Sequence, residues 1–277
     1  MTKKSNKHKY RNFNNGEPPN FNGQHLIHNK KLLTDIVKTA KISNKHLVLE
    51  LGAGKGALTT VLNEKARKVW AIEYDSRFIK KLESLGLQNT IVIQKDILKI
   101  KLPREPFVVV SNIPFAITTD IMKMLLNDPK NSIQSAVIIM EKGAAKRFTS
   151  KSVKDWYVMA WRMWFDIRIE RGISKDHFSP PPRVDTAMVS IVRKKESLIS
   201  YKYVKTLHSL LAYGLKYSTV PVNDFLRSIF TAPQAKKVRA AIKVAPENTV
   251  KSLNEEHWAI ICNTMVHYVP PHFWPKK

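Results

Sequence analysis

Residues 47 to 56 read LVLELGAGKG, an apolar run from Leu47 to Leu51 that breaks directly into Gly52, Gly54 and Gly56. Apolar residues at helical spacing follow over residues 57–62, so the pattern predicts strand, turn and helix, the first half of a βαβ unit. Glycine adopts positive φ readily and lets a ligand approach the backbone. The first N–H groups of the following helix are free to bind that ligand. The stretch therefore predicts a Rossmann-like α/β fold with a phosphate- or nucleoside-binding turn.

A second strand ends in a carboxylate at the spacing that a nucleoside site requires. The strand is predicted over Lys68 to Ile72 and is followed by Glu73, about 20 residues after the first glycine, where a carboxylate can bind a ribose diol. The ligand is therefore predicted to contain adenosine. A dinucleotide such as NAD and S-adenosylmethionine both satisfy this requirement, and the rest of the chain must distinguish them.

The chain carries a large excess of positive charge. Its 277 residues include 47 Lys and Arg against 22 Asp and Glu, a net charge of +25. Lys and Arg side chains neutralise phosphates and release counterions, so this excess predicts a polyanionic partner. The alternative is a basic protein whose charge serves only solubility.

The sequence offers little support for a disulfide, a metal site or a membrane segment. Cys262 is the only cysteine, and His25 and His28 have no second pair at ligand spacing, so no metal is predicted. No apolar run has the roughly 18 residues that span a bilayer, and the Lys-rich start lacks the apolar part of a signal peptide. We expect a reducing compartment, the bacterial cytoplasm.

Three regions are predicted along the chain. Residues 1–22 form a basic flexible tail that either binds nucleic acid or is simply solvated. Residues 23–195 alternate strands and helices, which predicts a parallel sheet covered on both faces, with the apolar segment Thr186 to Val192 as a strand that closes the sheet at an edge. Residues 196–277 are predicted as a small, all-helical, RNA-binding domain.

Two further strand ends carry polar residues that suit an adenine ligand and an adenine substrate. Asp96 follows a strand and could accept a hydrogen bond from the exocyclic amine of the cofactor's adenine, or could cap a helix instead.

The next strand is followed by Asn112, Ile113, Pro114 and Phe115. The Asn112 side-chain carbonyl and the Ile113 backbone carbonyl could accept the N–H bonds of a target adenine, Pro114 restricting its predecessor to extended geometry. Phe115 could stack on the base. An ordinary strand-to-loop turn is the alternative.

Phe178 is a second candidate for contact with the target base. It lies in the run His177 to Pro182, which contains three consecutive prolines and is predicted to be stiff and extended. Such a segment could hold Phe178 against the other face of a flipped-out base. Alternatively, it is a rigid linker with Phe178 in the core.

Taken together, these motifs resemble the rRNA adenine N6-methyltransferases, and within that family the Erm type, which confers macrolide resistance. The matching stretches follow one another in order and cover nearly the whole chain: residues 23–27, 49–59, Glu73, Asp96, residues 112–115 and residues 178–185. Residues 140–148 resemble the Erm form of that segment. His25 stands where Asn is frequent in the family, and Phe115 where Tyr is frequent.

The resemblance implies S-adenosylmethionine as cofactor and methylation of N6 of one adenosine in the peptidyl-transferase region of 23S rRNA by a monomeric enzyme. It assigns cofactor contacts to His25, Ile27, Gly52, Gly54, Glu73, Asp96 and Asn112, and target-base contacts to Asn112, Ile113, Phe115 and Phe178. The alternatives are a small-subunit rRNA adenine dimethyltransferase or a non-catalytic RNA-binding protein with the same fold. A dinucleotide-dependent oxidoreductase is disfavoured by the charge and by the Asn112 motif.

Overall fold

The computed structural model describes residues 25–276, so the predicted basic tail lies outside the described residues. The strands are β1 (Leu26–Ile27), β2 (Leu47–Leu51), β3 (Lys68–Glu73), β4 (Thr90–Gln94), β5 (Phe107–Asn112), β6 (Ile133–Glu141), β7 (Phe165–Ile173), β8 (Phe178–Ser179) and β9 (Thr186–Arg193). The α-helices are α1 (Lys30–Thr39), α2 (Ala57–Asn63), α3 (Ser76–Ser84), α4 (Thr118–Leu126), α5 (Lys142–Thr149), α6 (Trp156–Trp161), α7 (Val204–Lys216), α8 (Val222–Arg227), α9 (Ala232–Ile242) and α10 (Glu255–Tyr268). Within residues 25–276, no helix is long and apolar enough to cross a membrane.

Seven strands form one sheet in the order β4-β3-β2-β5-β6-β9-β7. The pairings from β4 to β6 are all parallel, which confirms the predicted α/β class. All five residues of β2 are buried, as expected for a strand covered on both faces. The carboxyl ends of β2, β3, β4 and β5 lie along one edge of the sheet, where ligands bind in open parallel sheets.

The prediction that Thr186 to Val192 closes the sheet at an edge is wrong. This segment is β9, which pairs antiparallel with β6 on one side and with β7 on the other. The edge strand on this side of the sheet is β7, which was not predicted from the sequence. Apolar and charged residues alternate in β7, a pattern that predicts a strand. However, the register shifts between Ile169 and Arg171, which interrupts the two-residue alternation.

A short antiparallel ribbon lies apart from the main sheet. It consists of β1 and β8, with Leu26 opposite Ser179 and Ile27 opposite Phe178. The ribbon joins Leu26 and Ile27, near the first described residue, to the proline-rich segment about 150 residues further along the chain. Neither strand was predicted, because a two-residue strand has no periodicity to recognise.

The C-terminal helices share a core with the sheet. One cluster of buried side chains extends from Leu49 and Val109 in the sheet, through Trp161 and Trp164, to Trp258 in α10. The predicted division near residue 195 therefore crosses a continuous core, and the RNA-binding role of the helical part stays a prediction.

We expect Gly214→Ala to lower the free energy of unfolding by roughly 1–3 kcal/mol, the usual cost of overpacking. A Cβ at Gly214 in α7 would lie 2.2 Å from Trp258 Cη2 and 2.9 Å from Phe225 Cζ. Urea denaturation measures the effect, with the exposed Lys205→Ala on the same helix as control. Helix propensity alone predicts the opposite sign, a gain of about 1 kcal/mol, and that result would contradict the packing argument.

Candidate active site

A cavity of about 580 Å³ opens at the carboxyl edge of the sheet. Most of the predicted site residues line it together, namely His25, Gly52, Gly54, Glu73, Asp96, Asn112, Ile113 and Phe115. Three residues that the sequence analysis did not single out, Tyr74, Asp75 and Lys99, also line it. Ile27 and Phe178 lie elsewhere.

The glycine turn is held by the Glu73 carboxylate. Glu73 Oε2 accepts a hydrogen bond from Gly54 N at 2.8 Å, and Oε1 accepts from Tyr74 N at 2.8 Å and Asp75 N at 2.9 Å. A carboxylate offers about four acceptor sites, so these bonds leave room for one more donor, such as a ribose hydroxyl. Gly54 has φ +56, and a Cβ there would lie 2.7 Å from Leu26 Cδ2. The positive φ therefore favours glycine at this position, and a side chain there would also displace the end of the Leu26 side chain.

The position of Asp96 is compatible with both roles considered for it, a helix cap and a contact to the ligand. Its Oδ1 accepts a hydrogen bond from Leu98 N at 2.9 Å and so caps the short 3₁₀ helix over residues 97–99. Its side chain is 38% exposed, and its Oδ2 lies 3.7 Å from Lys99 Nζ. Because Asp96 also lines the cavity, the cap leaves the carboxylate accessible to a ligand.

Asn112 stands at the carboxyl end of β5 with a buried, unused acceptor. Its Nδ2 donates to the His25 carbonyl oxygen at 2.7 Å. Its Oδ1 is buried and has no hydrogen-bond partner among residues 25–276. A buried acceptor without a donor costs free energy, so its presence at a cavity indicates that a ligand supplies the donor.

Aromatic rings flank this acceptor. The half-buried Phe115 and His25 both line the cavity, with ring centroids 5.6 Å apart and planes tilted by 31°. Ile113, which precedes Pro114, has a buried side chain, and its N–H donates to the Ile139 carbonyl oxygen at 3.3 Å. The turn after β5 is thereby anchored to β6, which holds Ile113 and Phe115 in place beside Asn112.

A smaller cavity of about 260 Å³ adjoins the first, and Gly52 and Asn112 line both. Ile27 lies here, with 6% of its surface exposed. Glu50 also lines this cavity, and its Oε2 is buried without a partner in the described part of the chain. Burial raises the pKa of Glu50 to about 8; the Thr59 hydroxyl opposes this shift, and the charge of Glu73 adds to it. Glu50 was not among the site residues predicted from the sequence, although it is a carboxylate inside the apolar run of β2.

Glu50→Gln is expected to make stability less dependent on pH. In the unfolded chain Glu50 ionises near its ordinary pKa of 4.5, whereas in the folded protein it keeps its proton up to about pH 8. Only the unfolded state therefore releases this proton as pH rises from about 4.5 to 8, which favours unfolding. The stability of Glu50→Gln relative to wild type should thus increase over this range. Urea denaturation at pH 5 and pH 8 measures the free energy of unfolding, with the exposed Glu83→Gln as control. If this free energy changed equally with pH in Glu50→Gln and in wild type, the result would contradict a buried, neutral carboxyl at Glu50.

The prediction that Phe178 stacks on the target base does not fit its position. Phe178 is 2% exposed and packs in a buried cluster with Ile27 and Met188. Its ring would have to leave this core to reach a base in the larger cavity. The alternative considered from the sequence, a core position beside a rigid segment, agrees with the structure.

The fold and the two cavities define a Rossmann-like α/β protein with a nucleoside-type site at the carboxyl edge of its sheet. The chain matches the family model "Ribosomal RNA adenine dimethylase" over residues 19–266. It is 56% identical to an rRNA adenine N-6-methyltransferase of Bacillus licheniformis, over 100% of this chain and 97% of that protein. A small-subunit rRNA methyltransferase A of Lactococcus lactis is 28% identical over 88% of each chain.

Two solved structures share the fold. The 23S rRNA methyltransferase ErmE superposes with a TM-score of 0.77 at 23% identity, covering 87% of this chain and 99% of that one. A dimethyladenosine transferase from Plasmodium falciparum superposes with a TM-score of 0.71 at 22% identity, covering 86% and 96%. The chain belongs to the rRNA adenine dimethylase family and is an S-adenosylmethionine-dependent rRNA adenine N6-methyltransferase.

The residues at the two cavities fit this cofactor. Glu73 and Asp96 offer acceptors for a ribose and an adenine, and both line the larger cavity. Gly52 and Gly54 leave the turn free of side chains, and the unpaired Glu50 oxygen at the smaller cavity suits a hydrogen-bond donor of the cofactor. When bound, the cofactor supplies an electrophilic methyl group on a sulfonium. The chain's own contribution is to position an adenine amine against that methyl group.

Proposed function

We propose that the enzyme methylates N6 of a single adenosine in 23S rRNA, once or twice, and thereby confers resistance to macrolide-type antibiotics. The observation that carries the chemistry is the Asn112 Oδ1, buried at the cavity without a partner among the described residues. An exocyclic adenine amine is a weak nucleophile, because its lone pair is drawn into the ring. An acceptor on an N–H bond raises electron density on the nitrogen, and Asn112 is positioned to be that acceptor.

The neighbouring groups complete the proposed target site. The Ile113 backbone carbonyl accepts the second N–H of the amine, and Phe115 stacks on the adenine, a contact worth about 1–3 kcal/mol for a base on an aromatic ring. With the cofactor bound, its sulfonium would supply the methyl group and leave as the neutral thioether, and the methylated amine would be strongly acidic. Its proton passes to water, so no side chain is required as general base.

The choice of 23S rRNA rests on the relatives and on the Erm-like segment. The relatives that match at 56%, from Bacillus licheniformis and Bacillus anthracis, are named rRNA adenine N-6-methyltransferases, whereas the Lactococcus lactis protein at 28% is named for the small subunit. ErmE is itself a 23S rRNA methyltransferase. Residues 140–148 include Lys142, Lys146 and Arg147 on α5 and resemble the Erm form.

A substrate of polyanionic rRNA accounts for the net charge of +25. We further propose that the enzyme acts as a monomer, as the family resemblance implies. The proposed location is the bacterial cytoplasm, where rRNA is found.

The test is transfer of a radiolabelled methyl group from S-adenosylmethionine to protein-free 23S rRNA, with 16S rRNA and 30S particles in parallel. Label at one adenosine of 23S rRNA is the expected result. Label only in 30S particles would contradict the 23S assignment and favour the small-subunit alternative. Expression in a macrolide-sensitive bacterium, with Asn112→Ala as control, tests resistance, and unchanged sensitivity would contradict that part of the proposal.

A further inference from the structure

The orientation of the Asn112 side chain depends on the β1–β8 ribbon. An amide group has a donor end and an acceptor end, and only the acceptor end can polarise an amine. The His25 carbonyl oxygen lies 2.7 Å from Asn112 Nδ2 and can only accept, so the amide nitrogen faces His25. Oδ1 is thereby turned away from His25 and left without a partner among residues 25–276. The position of one backbone carbonyl thus decides which end of Asn112 is available to the substrate.

His25 is held in turn by the proline-rich segment. Its Nδ1 lies 2.9 Å from the Pro180 carbonyl oxygen. Three residues further on, His28 N donates to the His177 carbonyl oxygen at 3.1 Å. Between these contacts Ile27 pairs with Phe178 across the ribbon. These contacts tie His25 to the proline-rich segment.

Phe178 anchors the ribbon in the core. Its ring is 2% exposed and belongs to the same buried cluster as Ile27, Val110 of β5 and Ile139 of β6. The ribbon is therefore attached to the two strands that carry and support the Asn112 turn. Moving Phe178 out of this cluster would shift β8, then β1, and with β1 the His25 carbonyl.

We propose that Phe178 is a positioning residue for methyl transfer: it anchors the β1–β8 ribbon and so holds the His25 carbonyl that orients the Asn112 amide. It contacts neither the target base nor the cofactor. The inference rests on the proposed role of Asn112 and replaces the base-stacking role that resemblance assigns to Phe178. It also explains why position 112 holds an amide, since an ionised Asp could not donate to the His25 carbonyl.

The experiment compares Phe178→Leu and Phe178→Ala with Phe115→Leu as matched control. Leucine keeps an apolar anchor but removes the aromatic face; alanine removes the anchor. Each variant is assayed for turnover with a saturating concentration of an rRNA fragment that contains the target adenosine. Each is also mixed with the same fragment carrying 2-aminopurine at the target position, and the fluorescence is measured. Stacking on an aromatic ring quenches that fluorophore, so the signal reports base contact independently of turnover.

We expect Phe178→Leu to keep turnover within about threefold of wild type and to leave the 2-aminopurine signal unchanged. Phe178→Ala should lose at least tenfold in turnover, with unchanged RNA affinity and unchanged fluorescence. Phe115→Leu should change both readouts. If Phe178→Ala does not fold, Ile27→Ala loosens the same ribbon from its other strand and should give the same lower turnover. Unchanged binding of S-adenosylhomocysteine by Ile27→Ala separates this effect from the loss of a cofactor contact.

Two results would overturn the inference. One is a loss of turnover and a changed 2-aminopurine signal in Phe178→Leu, as in Phe115→Leu, which would show base stacking. The other is wild-type turnover in folded Phe178→Ala or Ile27→Ala. A failure of the proposed function is distinguishable, because the wild-type enzyme would then show no turnover on this fragment. A failure of the role proposed for Asn112 is distinguishable too, because Asn112→Ala would then retain turnover whatever the Phe178 variants do.

Discussion

Asn112→Ala is expected to lower the turnover number for methyl transfer by about 10²–10³-fold, the usual effect of removing one preorganised hydrogen-bonding group from an active site. The variant lacks the buried Oδ1 that has no partner among the described residues and also loses the bond from Nδ2 to the His25 carbonyl. Turnover is measured with saturating rRNA and S-adenosylmethionine. Binding of S-adenosylhomocysteine, followed by calorimetry, should weaken only partly, because Glu73, Asp96 and the glycine turn remain.

The control for this variant is Asn44→Ala, which removes an exposed amide in a turn. It should leave both turnover and ligand binding unchanged. Turnover of Asn112→Ala within a few-fold of wild type would contradict the role given to Asn112, and with it the argument from the unpaired oxygen.

Glu73→Gln is expected to raise the dissociation constant of S-adenosylhomocysteine at least tenfold and to destabilise the fold. Three backbone N–H groups donate to the two carboxylate oxygens, at Gly54, Tyr74 and Asp75. A glutamine has one oxygen and an NH₂ group, so at least one of these donors faces another donor. An unsatisfied buried donor costs about 1–3 kcal/mol, and each 1.4 kcal/mol in binding is tenfold in affinity.

Calorimetry and urea denaturation give the two readouts for Glu73→Gln. The matched control is Glu83→Gln, an exposed position on α3, which should behave as wild type. A variant with wild-type stability but weak ligand binding would mean that Glu73 contacts the ligand without supporting the turn. Wild-type binding together with wild-type stability would mean that the carboxylate is dispensable for both.

The fold class and most of the site were predictable because they depend on local sequence. The apolar run before Gly52, the alternation of strands and helices, and the polar residues after each strand all follow from periodicity and turn chemistry. Parallel strands place their carboxyl ends at one edge, so Gly52, Glu73, Asp96 and Asn112 were expected to converge, and all four line one cavity.

The places where prediction was wrong or incomplete concern pairing and burial between distant segments. β9 was predicted at the edge of the sheet but lies between β6 and β7. Phe178 was predicted to contact the base, yet it is packed in the core opposite Ile27. Glu50 was taken only as part of an apolar strand, although burial raises its pKa to about 8.

The sequence by itself determined the α/β class, the glycine turn and the set of residue types that an adenosine cofactor and an adenine amine require. Only the tertiary structure decided which way those groups face. The bond between the Asn112 amide and the His25 carbonyl joins residues 87 apart in sequence. The geometry of this hydrogen bond arises from the packing of β1 against β8. No local sequence pattern in either segment predicts the bond, because the free energy that stabilises it comes from burial between segments that are distant along the chain.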